Sequence, residues 1–307
     1  MHKNIQGLGW LVRRHIDPIS TGEFYTELLG LPELRRRDNA KARNIMLWAG
    51  MYSVIETIWM GKKYHQVNTI EDAEIIPIFR ARNIVTAQAL LDSHKVIFVS
   101  NPDYRDETIY FLDPSGFVVG IRPPIPGSDL APDLEAESLW NKGTITVPNI
   151  INHQGNIQDI GWLRMNVENP QILAEFYNKV VGLKVLENNG DNGVTLHLGG
   201  TTTLELKPGG KTRLQPSDRK EVPDVWIFRG YEFSEFNERM IAFNVPIINE
   251  LTLGGGKLNY YVDPEGHVFG FQERRKYNRE DEKTHRIEDI AARQDWEINQ
   301  ETRQQEY

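Results

Sequence analysis

The chain has 307 residues, of which 39% are hydrophobic and 25% are charged, which is the composition of an ordinary globular protein. A net charge of −8 does not favour a nucleic-acid partner, and no apolar run approaches the roughly 20 residues that cross a bilayer. The lack of cysteine excludes disulfides, thiolate metal sites and cysteine nucleophiles. We therefore expect a cytoplasmic protein without nucleic-acid or membrane partners, and leave a homo-oligomer open.

The first part of the chain alternates strand-like and helix-like stretches. Hydrophobic periodicity predicts helices over 20–29 and 85–93 and strands over 10–14, 34–37, 44–48, 53–60, 75–80, 96–99, 108–112 and 117–121. Ser20 is the expected N-cap of the first helix, and Gly30 is its expected C-terminal stop. A strand, a helix and three strands follow one another twice, which predicts two βαβββ units of the α+β class.

The second part of the chain repeats the motifs of the first in the same order. Gly-Trp-Leu at 9–11 and Phe-Tyr at 24–25 return 152 positions later, and Leu-Gly-Leu at 29–31 returns there as Val-Gly-Leu. Asp-Pro-Ser-Gly at 113–116 returns 150 positions later as Asp-Pro-Glu-Gly. Such regular spacing indicates a tandem duplication. Each copy is expected to be a pair of βαβββ units in one curled mixed sheet, which forms a cup with the helices outside.

The repeat predicts two domains, 1–122 and 158–274. The segment between them, 123–157, contains a proline-rich turn sequence and acidic residues and is predicted as a linker. The remainder, 275–307, is dense in charge and is predicted as a tail. We expect the tail to be a solvated helix on the body or on a partner subunit, with disorder as the alternative.

These motifs together resemble the vicinal-oxygen-chelate superfamily. In both copies Phe-Tyr is followed five residues later by glycine, and Asp-Pro-x-Gly precedes the last strand. The superfamily includes glyoxalase I, the extradiol dioxygenases, methylmalonyl-CoA epimerase and bleomycin-type resistance proteins. The resemblance covers residues 7–122 and 158–274, and the two-copy length is most similar to an extradiol dioxygenase. It implies a divalent metal in each cup, held by His and Glu side chains.

Three of the four ligand positions that the resemblance implies have lost the expected side chain in both copies. The second position keeps a glutamate, Glu56 and Glu205. The first, third and fourth hold Trp10 and Trp162, Ile75-Ile76 and Asp224-Val225, and Gly120 and Gly270. One carboxylate cannot hold a catalytic zinc or iron ion, which has about three protein ligands. We expect no family-type metal and no cofactor, while a divalent metal at relocated ligands stays open.

Side chains two apart on a strand share a face, so the neighbours of the ligand positions are expected to line the cups. The cup of the second copy is the more polar, and chemistry is expected there. The candidate catalytic residues are Glu205 as general base and Arg164, Lys207 and Tyr260 as stabilisers of an oxyanion. The candidate binding residues are Trp162, Asn166, His197, Gly270 and Gln272, with Trp10 and Glu56 in the first copy. The indoles are expected to stack on a ligand, and the glycines to leave room for a ligand group or for the indole itself.

Several of these residues also have a structural interpretation. Glu205 and Lys207 could form an ion pair across the face, and His197 could be a solvated or hydrogen-bonded histidine. The two tryptophans could be packing residues. Arg13 and His15 alternate away from the cup, and His267, after the tight turn, is expected at the surface.

Three functions follow from this pattern. The first is a metal-independent enzyme of the lyase or isomerase type, which acts on a small aromatic or carbonyl compound by acid/base chemistry. The second is a non-catalytic protein that binds a small aromatic ligand, as the metal-free resistance members of the superfamily do. The third is a metalloenzyme, similar to an extradiol dioxygenase, with ligands drawn from Glu205, His197 and Asp224. The sequence favours the first.

Overall fold

The computed structural model of the protein describes residues 5–273 apart from 41, 51–52, 60–68, 102, 104–105, 125–155, 200–201 and 254–255. Most of the predicted linker and all of the predicted tail lie outside the described residues. Among the helices that are described, none is both long enough and apolar enough to cross a membrane.

The described strands and α-helices follow the predicted order of four βαβββ units. In the first copy they are β1 (Ile5–His15), α1 (Pro18–Leu29), β2 (Glu33–Asn39), β3 (Ala42–Trp48), β4 (Val54–Trp59), β5 (Ile75–Ala81), α2 (Ile84–Ser93), β6 (Phe98–Val99), β7 (Ile109–Leu112) and β8 (Val118–Arg122). In the second they are β9 (Ile157–Val167), α3 (Pro170–Phe176), β10 (Lys184–Asn188), β11 (Val194–Gly199), β12 (Thr202–Pro208), β13 (Asp224–Gly230), α4 (Phe233–Ala242), β14 (Ile247–Leu253), β15 (Gly256–Val262) and β16 (Val268–Glu273). A π-helical turn, Tyr177–Val181, continues α3.

The first helix begins two residues before the predicted start. The N-cap is Asp17, whose side chain accepts a hydrogen bond from the backbone N–H of Ser20, so the prediction of Ser20 as the cap is wrong. Pro18 follows the cap because its fixed φ suits the first turn and its missing N–H costs no hydrogen bond there. At the other end Gly30 has a φ of 68°, which confirms it as the C-terminal stop.

Each sheet combines one unit from each copy. The first sheet has the order β14-β15-β16-β13-β1-β4-β3-β2, and the second has the order β10-β11-β12-β9-β5-β8-β7-β6. The α+β class and the two mixed sheets are confirmed, but the expectation that one copy makes one sheet is wrong. The free edge of a strand can pair with any other strand, so a local pattern does not choose the partner. The boundaries predicted for the two domains stay a prediction.

The two sheets share one hydrophobic core. Leu11 of the first sheet and Leu163 of the second belong to the same buried cluster, together with residues of the helices. Arg13 also points into this core, where its Nε donates to Asp224 Oδ1 at 2.8 Å across the seam of β1 and β13. The opposite faces of the sheets carry two separate clusters, one around Trp10 and one around Trp162. We call these faces the Trp10 cup and the Trp162 cup.

The repeated motifs tie the two sheets together. The hydroxyl of Tyr25, on α1 over the first sheet, donates to Asp113 Oδ2 at 2.8 Å, and Asp113 leads into β8 of the second sheet. In the second copy Tyr177 donates to Asp263 at 2.7 Å. Each aspartate also caps its tight turn; Asp113, for example, accepts from the backbone N–H of Phe117 at 3.0 Å. The Phe-Tyr and Asp-Pro motifs therefore have a structural role.

Candidate functional site

Strands β9, β11 and β12 bring six of the predicted residues to the face of the Trp162 cup. Glu205 pairs with Arg164 in the ladder of β12 and β9, and Thr203 pairs with Trp162. Directly opposite residues share a face, so the alternate positions along these strands point into one cup. The six residues are Trp162, Arg164, Asn166, His197, Glu205 and Lys207.

Glu205 is held on both carboxylate oxygens by an arginine that the sequence did not identify as its partner. Arg122, at the end of β8, donates from Nη1 to Oε1 at 2.5 Å and from Nη2 to Oε2 at 3.2 Å. Its guanidinium also lies over the ring of Trp162, at 4.7 Å. Burial lowers the pKa of Arg122, but the charge and hydrogen bonds of Glu205 outweigh it and raise that pKa. Accepting a substrate proton at Glu205 would require breaking this buried ion pair.

Three further polar groups of the Trp162 cup, Arg164, Tyr110 and Asp106, form a network with Arg122. Arg164 donates to the hydroxyl of Tyr110 at 2.7 Å, and Tyr110 donates to Asp106 at 2.9 Å. Asp106 also lies 3.3 Å from Arg122. Burial raises the pKa of Asp106, but the charge of Arg122 and the hydrogen bonds outweigh it, so the pKa is lowered. Burial raises the pKa of Tyr110 to about 12. Neither group is poised to exchange a proton near pH 7.

The remaining predicted residues of this cup have separate positions. The amide of Asn166 donates to the backbone oxygens of Ile70 and Ala73, at 2.5 and 2.6 Å, and so holds the segment before β5. His197 and Lys207 are both partly exposed. Lys207 is not the partner of Glu205, whose oxygens are taken by Arg122.

Three residues that were expected beside Glu205 lie in the other cup. Tyr260, Gly270 and Gln272 belong to β15 and β16 of the first sheet, and Gly270 pairs with Tyr260 and with Ile227, which in turn pairs with Trp10. The prediction that Tyr260, Gly270 and Gln272 share a cup with Glu205 is therefore wrong. The cause is the exchange of units between the sheets, which places the last strands of the second copy against the first strands of the first copy.

Glu56 lies in the Trp10 cup in a different electrostatic setting from Glu205. Its side chain is 7% exposed, and Oε1 accepts a hydrogen bond from the amide of Asn44 at 2.5 Å. Within the part of the chain that the structure describes, Glu56 has no ion-pair partner. The arginine that binds Glu205 corresponds by the repeat to Gln272, which has no charge. A buried carboxylate without a direct ion-pair partner among the described residues is the unusual feature of Glu56.

Tyr260 is another polar group of the Trp10 cup. It is buried, and its hydroxyl accepts a hydrogen bond from Arg219 Nη1 at 2.6 Å. Burial raises the pKa of Tyr260, Arg219 and the charge of Arg14 lower it, and the negative charge of Glu56 raises it; the net direction is up. The hydroxyl therefore stays protonated at neutral pH and can donate its hydrogen.

The two tryptophans contact guanidinium groups. The Arg229 guanidinium lies 4.6 Å from the ring centre of Trp10, and Arg80 and Arg122 lie 5.3 and 4.7 Å from that of Trp162. Both indoles are nearly buried, at 6% and 5% exposure. These distances are those of cation–π contacts, which give both indoles a packing role, and ligand stacking on either indole stays a prediction.

The glycines at the fourth ligand position do not open the room that was expected. A Cβ at Gly120 would come within 2.9 Å of the side chains of Ile78 and Thr108, and one at Gly270 would come within 3.0 Å of Ile227. Side chains of the neighbouring strands fill the space instead. A glutamate ligand at either position could not be accommodated without shifting these neighbours.

The residues present do not fit the metal of the superfamily. Across the described ranges no group of three His, Asp or Glu side chains could hold a metal ion. In the Trp162 cup the guanidinium of Arg122 lies between Glu205 and Trp162, at the second and first ligand positions. A positive side chain stands where the resemblance implies a bound cation.

Comparison with known proteins supports the fold. No protein-family model and no curated protein matches the chain. A Bacillus subtilis protein described as a candidate dioxygenase matches 89% of this chain and 87% of its own, with 14% identity and a TM-score of 0.63. Glyoxalase I from Zea mays matches 92% and 98%, with 15% identity and a TM-score of 0.59. The chain thus shares the fold of glyoxalase I and of this dioxygenase-like protein, in the tandem form that its repeat predicted.

Proposed function

We propose that the protein is a metal-independent enzyme of the isomerase or lyase type, which moves a proton at a carbon beside a carbonyl group in the Trp10 cup. The observation that carries the proposal is the buried carboxylate of Glu56, which has no cationic partner among the described residues. A fold shared with glyoxalase I supports a small-molecule substrate. No organic cofactor is part of the proposal.

Glu56 suits the role of general base better than Glu205. A base must have a carboxylate oxygen that can accept a proton within hydrogen-bonding reach. Asn44 holds one oxygen of Glu56 and orients the group, while the other takes no hydrogen bond from the described residues. Arg122 binds both oxygens of Glu205. The sequence singled out this pair of glutamates with Glu205 as the expected base, and we propose Glu56 instead because its second oxygen takes no hydrogen bond from the described residues.

Tyr260 is the proposed stabiliser of the negative charge. When Glu56 takes the proton, the electron pair of the C–H bond forms a C=C bond, and the carbonyl oxygen becomes an enolate oxygen. The hydroxyl of Tyr260 can donate to that oxygen, because its own oxygen already accepts from Arg219. Such a preorganised donor lowers the barrier at the developing oxyanion. Return of the proton by Glu56 to the opposite face of the same carbon gives an epimer. Departure of a leaving group from the neighbouring carbon, as the enolate electrons form the new C=C bond, gives a lyase reaction.

The alternative is a non-catalytic protein that binds a small molecule. It is favoured by the Trp162 cup, whose carboxylates are both paired with arginines and whose indole is covered by guanidinium groups. In such a cup the ion pairs fix the charges and the shape of the site, and neither carboxylate is free to accept a proton. If both cups behave in this way, the protein belongs with the binding members of its fold.

The two functions differ in whether hydrogen exchanges with solvent. A panel of small ketones, hydroxyketones and oxo acids, aromatic and aliphatic, is incubated with the protein in D₂O, and loss of the signal of the hydrogen next to the carbonyl is followed by proton NMR. The proposal predicts catalysed loss for at least one compound, which persists in the presence of EDTA. A compound that binds, yet exchanges no faster than it does without protein, would favour the binding function.

A further inference from the structure

Arg35 is a buried cation without a partner. It lies on β2 and is 6% exposed, and neither Nη1 nor Nη2 has a hydrogen-bond partner. Its neighbour Arg36 points to the opposite face and binds Glu33 and Glu23, so these carboxylates serve Arg36. A guanidinium keeps its proton at any ordinary pH, so burial cannot be relieved by neutralisation.

The register directs Arg35 into the Trp10 cup. Arg35 pairs with Met46, and Met46 pairs with Glu56 on the next strand. Met46 belongs to the hydrophobic cluster around Trp10. Directly opposite residues of antiparallel strands share a face, so Arg35, Met46 and Glu56 form one row across the cup.

The other buried arginines are satisfied. Each has a carboxylate, a backbone oxygen or an aromatic ring as its partner: Arg13 with Asp224, Arg14 with the backbone of Val222, Arg80 with Asp159, Arg122 with Glu205, and Arg229 with Trp10. Arg35 departs from this rule. An unpaired buried charge costs free energy, and the cost is recovered when an anion binds to it.

We propose that Arg35 is the anion-binding residue of the Trp10 cup, and that the ligand of this cup is a small molecule with a carboxylate, phosphate or phosphonate group. Guanidinium geometry matches such groups with two parallel hydrogen bonds. The inference rests on the proposed function, which assigns the reacting carbon of the ligand to Glu56. The anionic group at Arg35 adds the chemical class of the ligand.

The spacing of the row sets the size of that compound. Neighbouring strands lie about 4.8 Å apart, so the backbones at Arg35 and Glu56 are separated by roughly 10 Å. Both side chains project into the cup between them. A compound of that length or shorter can therefore present its anionic group to Arg35 while the carbon that loses its proton lies at Glu56.

The second copy carries the opposite charge at the matching position. In the Trp162 cup the corresponding row runs from Glu187 through Thr195 to Glu205. Glu187 is exposed and acidic. The two cups therefore differ at this position, and the anion site is predicted for the Trp10 cup alone.

The inference is tested by the binding of simple oxyanions at constant ionic strength. Inorganic phosphate is followed by phosphorus NMR line broadening, and acetate by proton NMR, with the full-length protein. The wild type and an Arg36→Met control are expected to broaden at least one of the two signals, which also tells phosphate recognition from carboxylate recognition. Arg35→Met is expected to abolish the broadening. Equal broadening in Arg35→Met, or none in the wild type with either anion, overturns the inference.

Two further variants keep the test decisive. If circular dichroism shows that Arg35→Met does not fold, Arg35→Lys replaces it; an ammonium lacks the two-pronged geometry, so about tenfold weaker binding is expected, and unchanged binding contradicts the inference.

Glu56→Gln separates the two proposals. It should keep or strengthen anion binding while proton exchange is lost, so failure of the proposed chemistry leaves the anion site standing, and the reverse also holds.

Discussion

Arg122 binds both oxygens of Glu205, at 2.5 and 3.2 Å, inside the Trp162 cup. Removal of one partner of a buried pair typically costs about 3–5 kcal/mol, because the other charge is left uncompensated. Asp106 remains 3.3 Å from Arg122, so we expect Glu205→Gln to lower the free energy of unfolding by about 3 kcal/mol, the lower end of that range. Urea unfolding measures the loss. The double variant Arg122→Met with Glu205→Leu should recover most of it, and a single variant as stable as the wild type would refute a structural role for the pair.

The same pair predicts that the protein binds no family-type metal. A cation cannot approach Glu205 while both oxygens are held by a guanidinium, and Glu56 alone supplies one ligand. Elemental analysis of protein purified without chelators should find no stoichiometric zinc, iron or manganese. Near one metal ion per chain, lost together with activity on treatment with EDTA, would place the protein among the metalloenzymes with relocated ligands.

The residue at one repeated position decides whether each glutamate has an arginine partner. Arg122 of the first copy corresponds to Gln272 of the second, so a Gln272→Arg variant should place a guanidinium against Glu56 as Arg122 lies against Glu205. We expect this variant to stay folded and to lose proton-exchange activity by at least roughly 10²-fold, the usual contribution of a general base. Activity and thermal unfolding are measured together. Full activity in folded Gln272→Arg would mean that Glu56 is not the base.

His15 should destabilise the protein in acid. Burial, with the nearby charge of Arg13, holds the pKa of His15 well below 6.5, so the folded chain binds no proton where the unfolded chain does. Stability should therefore fall as the pH drops below about 6.5, by up to 1.4 kcal/mol per pH unit for this one group. His15→Val copies Val167 of the second copy and should remove that part of the pH dependence. Urea unfolding at pH 7.5 and 5.5 compares the two, and an equal loss in both proteins would contradict the assignment.

His267 changes stability with pH in the opposite direction. Its contribution is the same in the wild type and in His15→Val, so it does not affect their comparison. Burial lowers its pKa, but the carboxylates of Asp263 and Glu74 outweigh it, and the pKa is raised. Its contribution to stability is present below about 6.5 and is lost as the pH rises through the raised value. The sequence placed His267 at the surface, whereas it is 1% exposed, because the turn that it follows packs against Tyr177 and the core.

The fold could be predicted from the sequence because its signals are local and repeated. Alternating strands, the glycine stop at Gly30 and the Asp-Pro turns gave the four βαβββ units in order. The pairing of units could not be predicted, since the ladder between β1 and β13 is made of backbone hydrogen bonds that any strand can form. Tyr260 and Gln272 were therefore assigned to the wrong cup.

The candidate site was predicted in part. The repeat places Glu56 and Glu205 at equivalent positions in the two copies. It also places Arg122 and Gln272 at equivalent positions. It could not show that Arg122 reaches Glu205, because the two residues are 83 positions apart and meet only through the pairing of β5 with β9. Nor could it show that Arg35 lacks a partner, since the absence of a contact leaves no pattern in a sequence.

The assignment of Glu56 as the base is tested by comparing Glu56→Gln with Glu205→Gln in solvent hydrogen exchange of a substrate found in the D₂O panel. Both substitutions keep the size of the side chain and remove the base, and the repeat places them at equivalent positions in the two cups. We predict that exchange falls by about 10²-fold or more in Glu56→Gln, with ligand binding largely kept, and that folded Glu205→Gln retains it. Exchange that survives Glu56→Gln and collapses in Glu205→Gln would contradict this account and return the chemistry to the Trp162 cup.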